Sequence, residues 1–302
     1  MKIPPYLQPG DTIAITCPAG YMPLEKAETC IHTLQQWGYE VLAGKTLGSK
    51  SINYFSGTDE ERLNELQAML DAPEVKAILC GRGGYGVSRI IEQLDFTQFR
   101  KNPKWIIGFS DITVLHAHIN RNFKIATLHA PMAAAFNDGG YKNKYVKSLK
   151  QALEGIPAKY QCKSHALNRT GIVTGELIGG NLALLAHLTG STSDIQTKNK
   201  ILFLEDVGEQ HYNVDRMMIQ LKRSGKFEQL AGLIIGGFSD MQDTQRPFGK
   251  KVYQIIHEHI AEYKYPLCFG FPVSHDKENL ALKCGMDYEL RINPHSAQLT
   301  EI

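Results

Sequence analysis

The chain has 302 residues, 43% of them hydrophobic and 21% charged, which suits two ordinary globular domains or one large α/β domain. Its 33 basic and 31 acidic residues leave a formal charge of +2, scattered without basic clusters or acidic tails, so no electrostatic case exists for nucleic acid. No run approaches the ~18 apolar residues that span a bilayer, and residues 1–6 open no apolar stretch of signal-peptide length. Cys17, Cys30, Cys80, Cys162, Cys268 and Cys284 form no CxxC pair, and several lie in apolar surroundings. Reduced, buried thiols in a cytosolic protein are therefore expected, not a disulfide framework.

In chain order, residues 11–16 read as a short apolar strand ending at Pro18-Ala19-Gly20, and residues 23–37 as a helix closed by Gly38. Residues 39–42 give a second strand. Thr58-Asp59 caps a helix with Leu63, Leu66 and Leu70 at helical spacing, and residues 75–79 form a third strand. A helix over 87–94, a fourth strand over 104–109, a helix from Asp111 to about Asn122 and a strand over 124–128 follow. Such βαβ repetition implies a parallel, Rossmann- or flavodoxin-like sheet with helices on both faces, and ligands beyond the carboxyl ends of its strands. Residues 139–170, polar and broken by Gly139-Gly140 and Gly155-Ile156-Pro157, are expected to be a linker between an N-terminal domain over 1–138 and a C-terminal one over 171–302. The latter reads as a smaller α+β domain. Its strands are expected near 171–179, 201–204, 233–235, 267–271 and 288–292, and its helices over 181–188, 214–222 and 250–263.

Chemistry concentrates at strand ends. In Trp105-Ile106-Ile107-Gly108-Phe109-Ser110-Asp111-Ile112-Thr113 an apolar strand breaks at Gly-X-Ser straight into a helix. Such a corner exposes the serine hydroxyl beside the first helical N–H groups, where an oxyanion is stabilised. The competing reading is a plain helix cap. The hydrolase elbow usually carries a second glycine two residues after the serine, and Ile112 stands there. Gly81-Arg82-Gly83-Gly84-Tyr85-Gly86 is a glycine-rich loop whose N–H groups can cradle an anion. Its spacing is not GxGxxG and no Gly-Lys-Ser/Thr follows, so no nucleotide cofactor is expected.

Glu205-Asp206 ends the apolar strand at 201–204, and His275 follows the one at 267–271. Each is a rim candidate whose bland alternative is a solvated strand end or a surface turn. His116 with His118, and His257 with His259, are spaced i, i+2 on expected helices and point too far apart to share a metal. With no HExxH or Cys/His cluster, no metal site is expected.

Taken together, these pieces resemble the LD-carboxypeptidases of the muramoyl-tetrapeptide carboxypeptidase family, which includes microcin C self-immunity peptidases. The resemblance runs over nearly the whole chain. It begins at Leu7-Gln8-Pro9-Gly10-Asp11 and Cys17-Pro18-Ala19, and includes Arg82-Gly83-Gly84-Tyr85-Gly86 and Gly108-Phe109-Ser110-Asp111-Ile112-Thr113. It continues through Gly179-Gly180-Asn181-Leu182, Leu204-Glu205-Asp206-Val207 and Asp215-Arg216-Met217.

The resemblance implies a catalytic triad of Ser110, Glu205 and His275, with the backbone N–H groups of Asp111 and Gly84 as oxyanion hole. Arg82, with Gly83 and Tyr85, would meet the substrate. For Arg82 the alternative is a structural bond to loop carbonyls. It further implies a cytoplasmic homodimer of peptidoglycan recycling that cuts a terminal D-amino acid from murein tetrapeptides, without cofactor, membrane or nucleic acid. A peptidase cleaving a peptidyl-nucleotide antibiotic and a catalytically silent muropeptide-binding protein are the alternatives. Ser274 and Ala130 stand where the family usually has glycine.

Overall fold

The computed structural model describes residues 1–302. It divides into two units, Met1–Ile156 with Leu280–Lys283, and Pro157–Asn279 with Cys284–Ile302. No helix is long and apolar enough to cross a membrane.

The first unit contains β1 (Thr12–Thr16), α1 (Glu28–Gln36), β2 (Glu40–Ala43), α2 (Asp59–Asp71), β3 (Val75–Cys80), α3 (Thr97–Lys101), β4 (Trp105–Gly108), α4 (Thr113–Phe123), β5 (Thr127–His129) and α5 (Lys144–Leu153). Its strands lie in the order β5-β4-β3-β1-β2, all parallel. This is the doubly wound order expected of a flavodoxin-like sheet, and it reverses between β1 and β3. Ile13, Ile15, Ile78, Leu79, Ile106 and Ile107 are all buried. Burial on both faces explains why these strands read as unbroken apolar runs instead of alternating ones. The helix after Thr58 forms because of a capping box. Thr58 Oγ1 accepts the Glu61 N–H at 3.1 Å, and the Glu61 carboxylate accepts the Thr58 N–H at 2.7 Å.

Three expectations for this unit change. Residues 87–94 form two 3₁₀ turns, Val87–Arg89 and Ile91–Gln93, instead of one helix. Three of the eight residues are β-branched, which lowers helix propensity, and Val87, Ile90, Ile91 and Leu94 are pulled into the core. Lys124 takes a left-handed conformation that closes α4, so the next strand starts at Thr127. Residues 139–170 are not a bare linker, because they contain α5 and a strand. Asn143 caps α5 by accepting the Tyr145 N–H at 2.8 Å. Tyr145, Val146, Leu149, Ala152 and Leu153 bury one face of it.

The second unit contains β6 (Lys159–Lys163), β7 (Gly171–Asn181), α6 (Leu182–Leu188), β8 (Ile201–Val207), α7 (His211–Arg223), β9 (Gly232–Ser239), α8 (Val252–Ile260), β10 (Leu267–Phe269), β12 (Asp287–Ile292) and β13 (Ser296–Glu301); β11 (Leu282–Cys284) intervenes in the chain. The sheet order is β10-β9-β8-β7-β12-β13-β6. The first four strands are parallel, and β7, β12, β13 and β6 are antiparallel. β11 does not join this sheet. It lies beside β5 as the outer strand of the first unit's sheet.

Candidate active site

The corner after β4 is built on unusual backbone. Ser110 has φ +64°, one of four non-glycine residues in the left-handed region. That conformation costs an L-residue about 1–2 kcal/mol, so the surrounding structure must impose it. Gly108 has φ +156°, and a Cβ there would lie 2.8 Å from Cγ1 of Ile112. Ile112, standing where a second glycine was expected, therefore packs onto the first one, and Gly108 makes room for it. The Gly108 carbonyl is held by the Ala130 N–H at 3.2 Å and by His116 Nε2 at 2.9 Å. Burial pushes the His116 pKa down to about 4, so its ring is neutral and Nε2–H donates. A histidine that the sequence left without a role thus fastens the serine's corner.

The glycine-rich loop after β3 meets this corner. A Cβ on Gly83 would lie 2.8 Å from Ser110 Cβ, 3.0 Å from its Oγ and 3.3 Å from the Asp111 nitrogen. Only a glycine lets the loop come this close. Gly84 and Gly86 have φ of +94° and +153°, values that side-chain-bearing residues avoid. The Gly20 N–H donates to the Gly83 carbonyl at 3.0 Å. Arg62, wholly buried on α2, donates to the carbonyls of Pro18 and Gly86 and pairs with Asp59. Arg82 Nη1 donates to the Tyr21 carbonyl at 2.7 Å, the loop-carbonyl bond weighed from the sequence. Tyr85 is half exposed and packs against Phe55 with centroids 5.9 Å apart.

In the second unit, Glu205 is completely buried near the end of β8. Pairing with β9 shifts register between Leu204 and Asp206, where β9 passes through Gly236-Gly237. A Cβ on Gly236 would lie 2.2 Å from the Val273 carbonyl oxygen, and one on Gly237 would lie 2.4 Å from Ser274 Cβ. The bare glycines let the segment before His275 lie against β9, tied by the Gly237 N–H to the Val273 carbonyl at 2.9 Å. This brings His275 Nδ1 to 2.6 Å from Glu205 Oε2.

Burial of the His275 ring opposes its protonation. The hydrogen bond and charge of Glu205, with Asp206 and Asp276 behind them, outweigh burial and raise its pKa above the usual 6.5. With Nδ1–H donated to the carboxylate, the neutral ring keeps its basic lone pair on Nε2. Ser274 fastens the turn. Its hydroxyl donates to the Glu278 carbonyl at 3.0 Å and accepts the Asp276 N–H at 3.0 Å.

Asp206, adjacent in sequence to Glu205, has a different task. It accepts from Asn181 Nδ2 at 2.7 Å and from the Ala183 N–H at 3.0 Å, so it anchors the start of α6. Burial first, and then the charge of Glu205, push its pKa up to about 7. Ser110, Asp111 and Gly83 are thus brought together in the first unit, with Gly84 next along the loop beside Gly20 and Tyr54, and Glu205 with His275 in the second.

Both units match a family. Residues 13–130 fit the LD-carboxypeptidase N-terminal domain and residues 174–290 the LD-carboxypeptidase C-terminal domain. Over 287 residues the chain is 35% identical to a probable murein peptide carboxypeptidase of Bacillus subtilis, with 93% of this chain and 89% of that protein covered. The chain belongs to the LD-carboxypeptidase family. Among solved structures, it is similar to a muramoyltetrapeptide carboxypeptidase from Oxalobacter formigenes, with a TM-score of 0.87 and 28% identity over 96% of this chain and 98% of that one. The microcin C7 self-immunity protein of Escherichia coli is 27% identical over 329 aligned positions, 97% of this chain and 94% of that protein.

Within this LD-carboxypeptidase, sequence reasoning gave no role to Arg62, His116, the Asp111 carboxylate or Gly236-Gly237. Of these, only the paired glycines after an apolar strand carried a local signal, since they mark a close backbone approach.

Proposed function

We propose that this LD-carboxypeptidase is a serine hydrolase that removes the terminal D-amino acid from murein tetrapeptides. Ser110 Oγ attacks the carbonyl on the L side of the L,D-peptide bond while His275 Nε2 takes its proton. Glu205 holds the ring in the Nδ1–H tautomer and stabilises the imidazolium. The N–H groups of Asp111 and Gly84 receive the oxyanion, where losing one donor typically costs about 2.7–4 kcal/mol. The bond to the leaving amine breaks as His275 returns the proton to it. Water, deprotonated by the same histidine, then releases the tripeptide from Ser110.

The observation that carries the nucleophile assignment is the left-handed backbone of Ser110, strain that a mere helix cap does not require. The Glu205–His275 pair at 2.6 Å supports the choice of base. Cytosolic action as a homodimer belongs to the same reading, and all six cysteines being free suits a reducing compartment.

Incubation with a tetrapeptide ending in D-alanine tests the reading. Wild type should release D-alanine and Ser110→Ala should not. No release by wild type, or equal release by the variant, would sink it. Running a peptidyl nucleotide alongside separates murein processing from the immunity-type activity named for the Escherichia coli relative.

A further inference from the structure

Two backbone donors serve one oxyanion only if the segments carrying them are held in register. Gly84 belongs to the loop after β3 and Asp111 to the corner after β4. The paired register of these strands ends at Leu79↔Ile107, so both donors lie beyond the sheet's own ladder. The loop ties already described lead towards the end of β1, through Gly20, Tyr21 and, by way of Arg62, Pro18.

The tie to the serine's corner is the side chain of Asp111. Its Oδ2 accepts the Val87 N–H at 2.8 Å. The residue is fully buried. Burying a carboxylate is costly, and here burial pushes its pKa up to about 6 against the bond from Val87, the charge of Arg62 and the nearby Gly86 backbone. An apolar side chain would fill the same space without that cost, so packing alone does not account for an acid here.

We propose that the Asp111 carboxylate is a positioning residue that clamps the glycine-rich loop to the nucleophile corner, so that the N–H groups of Gly84 and Asp111 face one oxyanion. The inference rests on the serine-hydrolase reading above. The side chain itself does not touch substrate. It acts through Val87 on the loop that carries Gly84.

Asp111→Ala and Asp111→Asn test it, with kcat and KM on the D-alanine tetrapeptide and hydrogen exchange over residues 81–87. Asp111→Ala should lose about 10²–10³ in kcat, the effect of one misplaced oxyanion donor, with KM within about threefold. Exchange over 81–87 should quicken at least about tenfold while α2 stays protected. Asp111→Asn keeps an oxygen for the Val87 N–H and should recover kcat to within about tenfold of wild type.

A kcat for Asp111→Ala within threefold of wild type overturns the inference, as does lost kcat without faster exchange over 81–87. If Asp111→Ala does not fold, wild type alone decides: a Val87 amide exchanging as fast as Tyr85 overturns the clamp. A wild type that releases no D-alanine removes the hydrolase reading and the purpose given to the clamp, while the exchange data separately report whether the clamp exists.

Discussion

Replacing Gly83 with alanine tests the contact between the loop and Ser110 most directly. The new Cβ would stand 2.8 Å from Ser110 Cβ and 3.0 Å from Oγ. Ordinary carbon–carbon contacts are about 3.5–4.0 Å, so Ser110 or the loop must yield by about 0.7–1.2 Å. Misplacement by about 1 Å costs on the order of 10²-fold in rate. The methyl also stands 3.3 Å from the Asp111 nitrogen, crowding a proposed oxyanion donor. A loss of about 10²–10³ in kcat/KM is expected, mostly in kcat.

Folding should suffer far less. Gly83 is not among the glycines with positive φ, so alanine suits its backbone. The alanine's smaller unfolded-state entropy, worth about 0.4–1 kcal/mol, partly offsets an overpacking cost of about 1–3 kcal/mol. D-alanine release gives kcat and KM, and a thermal melt gives stability. A Gly83→Ala enzyme within threefold of wild-type kcat/KM would refute the reasoning, and so would activity lost only because the protein is unfolded at the assay temperature.

Other perturbations follow from the same geometry. Ser110→Gly and Ser110→Ala should both be inactive, but at φ +64° the glycine variant should be more stable than the alanine variant by about 1 kcal/mol in denaturant melts; equal stabilities would contradict the strain. His275 must be neutral to accept a proton, and its pKa lies above the usual 6.5, so kcat/KM should fall on acidification through a limb above that pH. Glu205→Gln removes the groups' main raising influence, and should move that limb to lower pH and cost about 10³–10⁴ in kcat; an unmoved limb assigns it to another group. Asp206 has a folded pKa of about 7 against an ordinary 3.8, so the folded state holds the extra proton between them. Stability should therefore decline as pH rises from about 4 to 7, and Asp206→Asn should flatten the decline, as measured by urea melts across that range.

The inner strands of the first unit's sheet, β1, β3 and β4, were legible because strands buried on both faces spell themselves as apolar runs. The corner at Ser110 was equally visible, since the strand break, the glycine and the serine are contiguous. α5 was hidden by its lysines, which made an amphipathic stretch look like a polar linker until burial of its other face is seen. β6 alternates exposed and half-buried residues, and β11 contains Lys283, whose buried ammonium lies 4.9 Å from the Tyr6 ring centroid. A reading that treats lysine as surface passes over both. The Glu205–His275 pair was beyond local pattern altogether. Seventy residues separate the partners in sequence, and the fold that joins them depends on Gly236-Gly237 having no side chains.

β11 has a consequence for how the protein is made. The other strands of the first sheet are complete by His129, yet its outermost strand is supplied by Leu282–Cys284, close to the end of the chain. As the chain leaves the ribosome, the unit that carries Ser110 is begun first but stays incomplete until most of the second unit has been made. Until then the outer side of β5 is an open edge, the kind of backbone that recruits foreign strands. A fragment ending near Ile156 would inherit that edge permanently. β11 therefore works as a late closure on the first unit's sheet.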